Sequence, residues 1–392
     1  MRTAILVMLA ASGVWGQTKT MRSALYAAAG PELMEFDVDV ANATLTKRGS
    51  VMLPDGVQEA FPHPSHKYLY VTWSDGVIGK LVPEGEKSPH GVTAFKIDPK
   101  TGALTQHGDP ISLRARAVFL SVDVDGTHIV VANNDPSGIT VHAIKPDGTL
   151  GAQIPQGPVD VGVYAHQVRV DPSNKAVILV TRGNAPTATK KEDPGAIKVI
   201  DYKKGILANR QSIAPNKGFG FQVRHLDFHP SGKWDFVTLE KQNKIYVFKR
   251  SADGSLGDAP LFMKDPLDHP IGKGGQALST IHVHPSGKFL YAANRGSNGG
   301  ENSIAVFTIN QETGEPTLIQ DADTHGIQPR TFSIDPSGKI LVVANMTATK
   351  EVPACLSVYR IGGDGKLEYV RKYDIETGGT RTLFWTGFVG LP

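Results

Sequence analysis

The chain has 392 residues, of which 40% are hydrophobic and 20% charged, with 42 glycines and 26 prolines. That is the composition of a turn-rich globular protein able to bury a sizeable core, and it excludes a disordered or fibrous chain. A formal charge of +3 over this length argues against nucleic acid or an anionic membrane surface as a partner, and one cysteine, Cys355, excludes an internal disulfide.

Residues 1–16 stand apart. Arg2 opens a short basic region, residues 4–14 are largely apolar, and Val14-Trp15-Gly16 resembles the pattern before a cleavage site, so this stretch is expected to be a secretory signal. The mature protein would then be periplasmic or secreted; if the true start is Met21 instead, it would be cytoplasmic. No other apolar run approaches the ~20 residues of a membrane span. Residues 17–392 are expected to form a single domain, because a repeat runs through them.

The repeat is a turn followed by an apolar strand. Six copies align: His63-Pro64-Ser65-His66-Lys67, Asp123-Val124-Asp125-Gly126-Thr127, Asp171-Pro172-Ser173-Asn174-Lys175, His229-Pro230-Ser231-Gly232-Lys233, His284-Pro285-Ser286-Gly287-Lys288 and Asp335-Pro336-Ser337-Gly338-Lys339, at intervals of 60, 48, 58, 55 and 51 residues. Each turn has a strand before it and after it, and a third strand follows at 92–97, 139–144, 197–201, 244–249, 304–309 and 354–359. Polar hairpins such as Lys145-Pro146-Asp147-Gly148 lead into a variable fourth strand. Four antiparallel strands per unit of about 50 residues is the pattern of a propeller blade, which must stack on neighbours to cover its faces. Strands at 23–29 and 33–38, with no turn motif before them, and a leftover strand at 380–385 would make a seventh blade. The expected fold is therefore all-β, a seven-bladed propeller closed by strands from both termini.

Offsets from the turns mark candidate site residues. Five positions before each turn's first residue stand Gln58, Val118, His166, Arg224, Ser279 and Arg330; eleven after it stand Ser74, Asn134, Arg182, Glu240, Arg295 and Met346. Barring a bulge, the symmetric offsets make these cross-strand neighbours, at the channel mouth opposite the turns. His166, Arg182, Arg224, Glu240, Arg295 and Arg330 would bring an excess of cations around one carboxylate. Such a mouth suits a small anionic lactone or carboxylate, since arginine binds carboxylate and phosphate bidentately. An isolated Arg224–Glu240 pair would more simply be a structural cross-strand ion pair, but four arginines exceed what one glutamate neutralises.

Weaker signals read as structure. His282 and His284 share a strand face as metal ligands would, yet His284 holds the turn position taken by His or Asp in other blades, so a turn role and no metal is expected. The 296–300 loop lacks the lysine and following helix of a phosphate-binding loop. Lys190-Lys191 reads as a solvated polar loop, and Cys355 as a small buried hydrophobe.

The segments FQVRHLDFHPSGK, STIHVHPSGKFLYAANRGSN and IQPRTFSIDPSGK resemble the lactonase family of seven-bladed propellers, which includes bacterial 6-phosphogluconolactonase and the fungal carboxymuconate cyclase. That resemblance implies a catalytic set of His166, Arg224, Glu240 and Arg295, with no metal or organic cofactor. The reaction it implies is hydrolysis of a sugar lactone, most concretely 6-phosphogluconolactone, with Glu240 or His166 as base and Arg182, Arg330, Asn134 and Gln58 around the substrate. Cyclisation of a carboxylated muconate is the second enzymatic reading. The YVTW, YAAN and VVAN strands also resemble secreted YVTN-type propellers that bind without chemistry, which would predict a ring closed by internal salt bridges and no ligand-sized pocket, whereas unpaired Arg224 and Arg295 facing a cavity would count against it.

Overall fold

A computed structural model describes residues 22–269, 275–297, 299–378 and 382–391. The expected signal segment at 1–16 and the alternative start at Met21 lie outside the described residues, as do positions 380 and 381 of the expected terminal strand. Among the described residues no helix is long and apolar enough to cross a membrane.

Seven antiparallel sheets follow one another around the ring. Blade 1 is composite: Leu383–Gly390 is its inner strand, followed outward by Ser23–Ala29, Glu32–Asp39 and Thr44–Met52. The two ends of the chain are thus hydrogen-bonded within one sheet, which removes the open edges a linear stack of blades would expose. The inner strands of blades 2 to 7 are Val57–Pro62, Ala117–Val122, Ala165–Val170, Val223–Phe228, Gly275–Val283 and Ile327–Ile334. Each pairs with the apolar strand after its turn, as the repeat predicts.

The core lies between blades. Second strands such as Ala176–Thr181 and Trp234–Leu239 are buried along their whole length, because alternate side chains face the blades on either side. Leu25 and Ala27 of blade 1 pack with Ile340 and Val342 of blade 7, while Ala24 and Tyr26 pack with Leu69 and Val71 of blade 2. The blade that joins the termini is therefore seated on both sides.

The turns add polar links between blades. The fourth turn residue is left-handed in every copy, at φ 58° for His66 and Asn174 and up to 73° for Gly287, which explains the recurring glycine. In three of the turns a histidine receives or donates a hydrogen bond at Ser Oγ two residues on and reaches the carbonyl of the next blade's turn glycine. These are His63 to Gly126 at 2.9 Å, His229 to Gly287 at 2.8 Å and His284 to Gly338 at 2.9 Å. His284 is a turn residue, as expected.

One expectation about register fails. Every inner strand slips against its neighbour near its start, leaving one or two residues unpaired: Phe384, Gln58, Val118, His166, Arg224, Ser279 with Thr280, and Arg330. These are β-bulges, one in each blade. Arg295 consequently pairs with Ala277, and not with Ser279 as hairpin symmetry predicted. The same slip places Arg182 opposite Tyr164 and Glu240 opposite Gln222, where each N–H donates to the partner's carbonyl at 3.0 and 2.8 Å.

Candidate active site

A bulge leaves its extra residue outside the pleat alternation and re-aims the side chain. Repeated around a ring, it lets one residue per blade depart from the apolar pattern of the inner strand. His166 and Arg224 are such residues, and both are buried.

Glu240 is the centre of the cluster. It follows the strand Trp234–Leu239, with its side chain 8% exposed, and accepts from Arg182 Nη1 on Oε2 at 3.0 Å. Arg295 Nη2 donates to Oε1, and Arg224 Nε lies 3.5 Å from the same oxygen. Burial alone would raise the Glu240 pKa, but the guanidiniums of Arg224, Arg295 and Arg182 outweigh it and hold the group well below the usual carboxylate range. Glu240 is therefore an anion that organises three arginines.

His166 is the complementary group. Burial, then the positive charges of Arg224, Arg330, Arg182 and Arg295, push its pKa well below 6.5, so the ring is neutral at neutral pH. Its Nδ1 is buried without a hydrogen-bond partner. The ring packs edge-on against His225 at 5.2 Å, and His225 is likewise kept neutral by burial and by Arg224. A neutral imidazole beside anchored cations can take a proton, while the guanidiniums can receive developing negative charge.

The other half of the ring is arranged differently. Arg116, just before the inner strand of blade 3, donates through Nε and Nη2 to Gln58 Oε1 at 3.1 and 2.8 Å. The Arg330 guanidinium lies on the Phe384 ring at 3.7 Å, and burial with the nearby charges of Arg295 and Arg116 lowers its pKa to about 9, which leaves it charged at neutral pH. Beneath the ring, the inner strands enclose a cavity of about 300 Å³ whose polar lining includes Glu59, Gln167, Arg169, His225, Asp227 and His282.

Residues 20–384 match the model of the lactonase family of seven-bladed β-propellers. The chain belongs to this family. The 6-phosphogluconolactonase of Formosa agariphila is 29% identical over 299 residues, covering 72% of this chain and 76% of that protein. The 6-phosphogluconolactonase of Bacillus subtilis is 29% identical over 260 residues, with 65% and 70% covered. Among solved structures, the periplasmic gluconolactonase of Pseudomonas aeruginosa superposes with a TM-score of 0.74 at 19% identity, covering 94% of this chain and 99% of that one. At that identity the likeness speaks for the fold.

In this lactonase-family propeller, the structure brings His166, Arg182, Arg224, Glu240, Arg295 and Arg330 to one mouth of the channel. Gln58 is also there but is engaged by Arg116. Asn134 is buried at the end of its strand with Oδ1 unpartnered, and its backbone N–H donates to the Arg116 carbonyl at 3.3 Å. Ser74 turns to His90 at 2.9 Å. His282 contacts Asp227 at 3.4 Å, apart from the turn that holds His284. Arg224 and Arg295 are both paired with Glu240, and Asp227 pairs with Arg169 and His282 deeper in the channel, so ion pairs do link blades 4 to 6; among the described residues Arg116 and Arg330 make no ion pair.

Sequence reasoning missed Arg116, Tyr164, His225 and Phe384. Tyr164 stacks under Arg182, whose guanidinium lies 4.0 Å from the ring centroid, and it holds φ at +58°, a strained conformation for a tyrosine. Arg116 and Tyr164 both stand seven residues before their turns, and that shared offset is the signal by which they were detectable.

Proposed function

We propose that the protein hydrolyses a sugar lactone, most concretely 6-phosphogluconolactone to 6-phosphogluconate. The observation that carries this reading is Glu240 gathering Arg182, Arg224 and Arg295 beside a neutral, unpartnered His166. The family membership and the relatives named 6-phosphogluconolactonase support it.

In this reading His166 takes a proton from water as its oxygen attacks the lactone carbonyl carbon. Negative charge that moves onto the carbonyl oxygen is received by Arg224 and Arg295, which Glu240 holds in place. The bond from the carbonyl carbon to the ring oxygen then breaks, and the ring oxygen takes the proton from His166 to give a hydroxy acid. An anionic substrate offsets part of the arginine field and raises the proton affinity of His166 as it binds. Glu240 is a poorer base here, because three guanidiniums stabilise its charged form. The basic and apolar 1–16 segment supports export, and an exported enzyme would meet its lactones outside the cytoplasm.

The test uses purified protein with 6-phosphogluconolactone and glucono-δ-lactone. Glu240→Gln and Arg295→Ala should remain folded and lose turnover by about 100-fold or more; full activity in both variants would overturn the assignment.

A further inference from the structure

Tyr164 is held in a conformation that costs an L side chain. Its φ is +58°, a left-handed backbone that a bulky residue keeps only when its surroundings dictate it. They do so from both sides. Gly162, also at φ +58°, turns the chain just before it, and Ala165 just after it donates its N–H to Ser137 Oγ of blade 3 at 3.0 Å.

The conformation brings Tyr164 to Arg182 twice. Its carbonyl accepts the Arg182 N–H at 3.0 Å, and its ring lies against the guanidinium, with 4.0 Å from Cζ to the ring centroid. The ring thus fixes the face of the Arg182 guanidinium while Glu240 Oε2 fixes Nη1 at 3.0 Å. Nη2 has no partner among the described residues. The side chain is 23% exposed, against 1% for Arg224 and 13% for Arg295, so Arg182 is the arginine around Glu240 most open to an incoming molecule.

The blade itself does not need this ring. Arg295 stands at the same offset in blade 6 and pairs with Ala277, so that blade closes with a methyl group where blade 4 has a phenol. The apolar core between blades 3 and 4 takes Val159, Val161 and Ala165 from this segment, but not Tyr164. The Tyr164 hydroxyl makes no hydrogen bond among the described residues. What the strained backbone secures is the aromatic face against Arg182.

We infer that Tyr164 is a positioning residue for Arg182, whose guanidinium plane it fixes so that Nη2 meets an oxygen of the bound lactone while Nη1 stays on Glu240. An aromatic face holds a cation without a competing anion, which keeps its charge for the ligand. A preset guanidinium also loses less side-chain freedom when the ligand arrives. The inference rests on the lactonase reading for the ligand, and on the contact between Tyr164 and Arg182 for the role.

The experiment compares the full-length protein with Tyr164→Phe, Tyr164→Leu and Tyr164→Asn, each also made in an Arg182→Ala background. Phenylalanine keeps the ring and drops the hydroxyl, and leucine drops the ring. Asparagine drops it too and accepts a left-handed backbone readily, so it reports even if the leucine variant misfolds. The quantities read are kcat and KM on 6-phosphogluconolactone and glucono-δ-lactone, and the affinities for gluconate and 6-phosphogluconate by calorimetry. Loss of the ring should raise KM and weaken binding of the acids by about fivefold or more, with kcat within about threefold of wild type. Tyr164→Phe should match wild type within about twofold. In the Arg182→Ala background the same substitutions should add less than about twofold, because the contact they remove is already gone. Unchanged KM and affinity in the folded leucine and asparagine variants, a phenylalanine variant as impaired as they are, or effects that add in full to that of Arg182→Ala each overturn the role. A wild-type protein that hydrolyses neither lactone overturns the lactonase reading, while ring-dependent binding of either acid would still support the role of Tyr164; binding of neither acid overturns it.

Discussion

Arg182 and Arg295 reach Glu240 from the blades on either side of its own, Arg182 Nη1 on Oε2 at 3.0 Å and Arg295 Nη2 on Oε1. One carboxylate thus ties three consecutive blades at the mouth of the channel. Its charge is required by the arrangement, because the arginines that it holds are themselves partly or wholly buried.

Removing that charge should therefore cost stability as well as activity. Glu240→Gln leaves three guanidiniums without their anion, and a loss of about 3 kcal/mol is expected from breaking a buried pair on one side. The folded-state pKa of Glu240 is depressed. Its contribution is accordingly complete above the unfolded carboxylate range, near pH 4.3, and is lost as pH falls toward the folded pKa. Urea unfolding midpoints of wild type and variant should differ by a constant amount from pH 6 to 8, and the gap should narrow progressively as pH falls below about 4.3 toward the depressed folded pKa. A gap that widens in acid contradicts the sign.

The pH dependence of turnover tests His166. If its neutral ring is the base, the acid limb of kcat/KM reports its pKa in the free enzyme, and that pKa lies well below 6.5. Activity should stay level through pH 6.5 and fall only in more acidic buffer. His166→Gln should lower kcat/KM by about 100-fold or more and abolish that limb. A limb centred above pH 6.5, or one that survives in the variant, excludes His166 from this role.

The blades were legible because their signals are local: a left-handed turn residue, two apolar strands, and a polar hairpin every 50 or so residues. The composite blade was legible only as leftover strands at the two ends. The bulges left no mark, since the residues that occupy them are Phe384, Gln58, Val118, His166, Arg224, Ser279 with Thr280, and Arg330, which share neither size nor polarity. The offset that found His166 and Arg224 still worked because every blade bulges near the same place. It named the right residues while assigning them the wrong cross-strand partners. Arg116 and Phe384 escaped for separate reasons: Arg116 lies two positions earlier than the offset, and blade 1 has no turn motif from which to count.

Glu59 offers a stability test with the opposite sign. It lines the channel cavity, accepts from Trp385 Nε1, and has its pKa raised to about 8, mainly by burial. A raised folded pKa means that the folded state binds more protons than the unfolded state between about pH 4.3 and 8. Stability attributable to this group is therefore fully present at low pH and is lost as pH rises through the folded pKa. Glu59→Gln keeps an acceptor for Trp385 and removes the titration. It should leave the unfolding midpoint nearly unchanged at pH 4 and raise it at pH 8, by about 1 kcal/mol or more. A variant less stable than wild type at pH 8 would show that the carboxylate form is the one the channel favours.

The turn clasps supply a prediction remote from the chemistry. His284 bridges Ser286 Oγ at 2.8 Å and the Gly338 carbonyl at 2.9 Å, linking the turns of blades 6 and 7. Replacing it with alanine removes these bonds together with the one its Nδ1 accepts from the Ser286 N–H at 3.1 Å, and leaves the Gly338 carbonyl to find water, at a cost of about 1 to 2 kcal/mol. Gly338→Ala attacks the same link from the other side. Its φ is +71°, and an added Cβ would stand 2.5 Å from the His284 Nε2, so ring displacement adds to backbone strain. Both variants should lower the unfolding midpoint, Gly338→Ala the more, while kcat/KM on the lactone at 25 °C stays within about twofold of wild type, since surface-side changes remote from a site usually act independently of it. If His284→Ala instead abolishes turnover with its stability intact, the turn end of the channel participates in the reaction, and the assignment of chemistry to the opposite mouth is wrong.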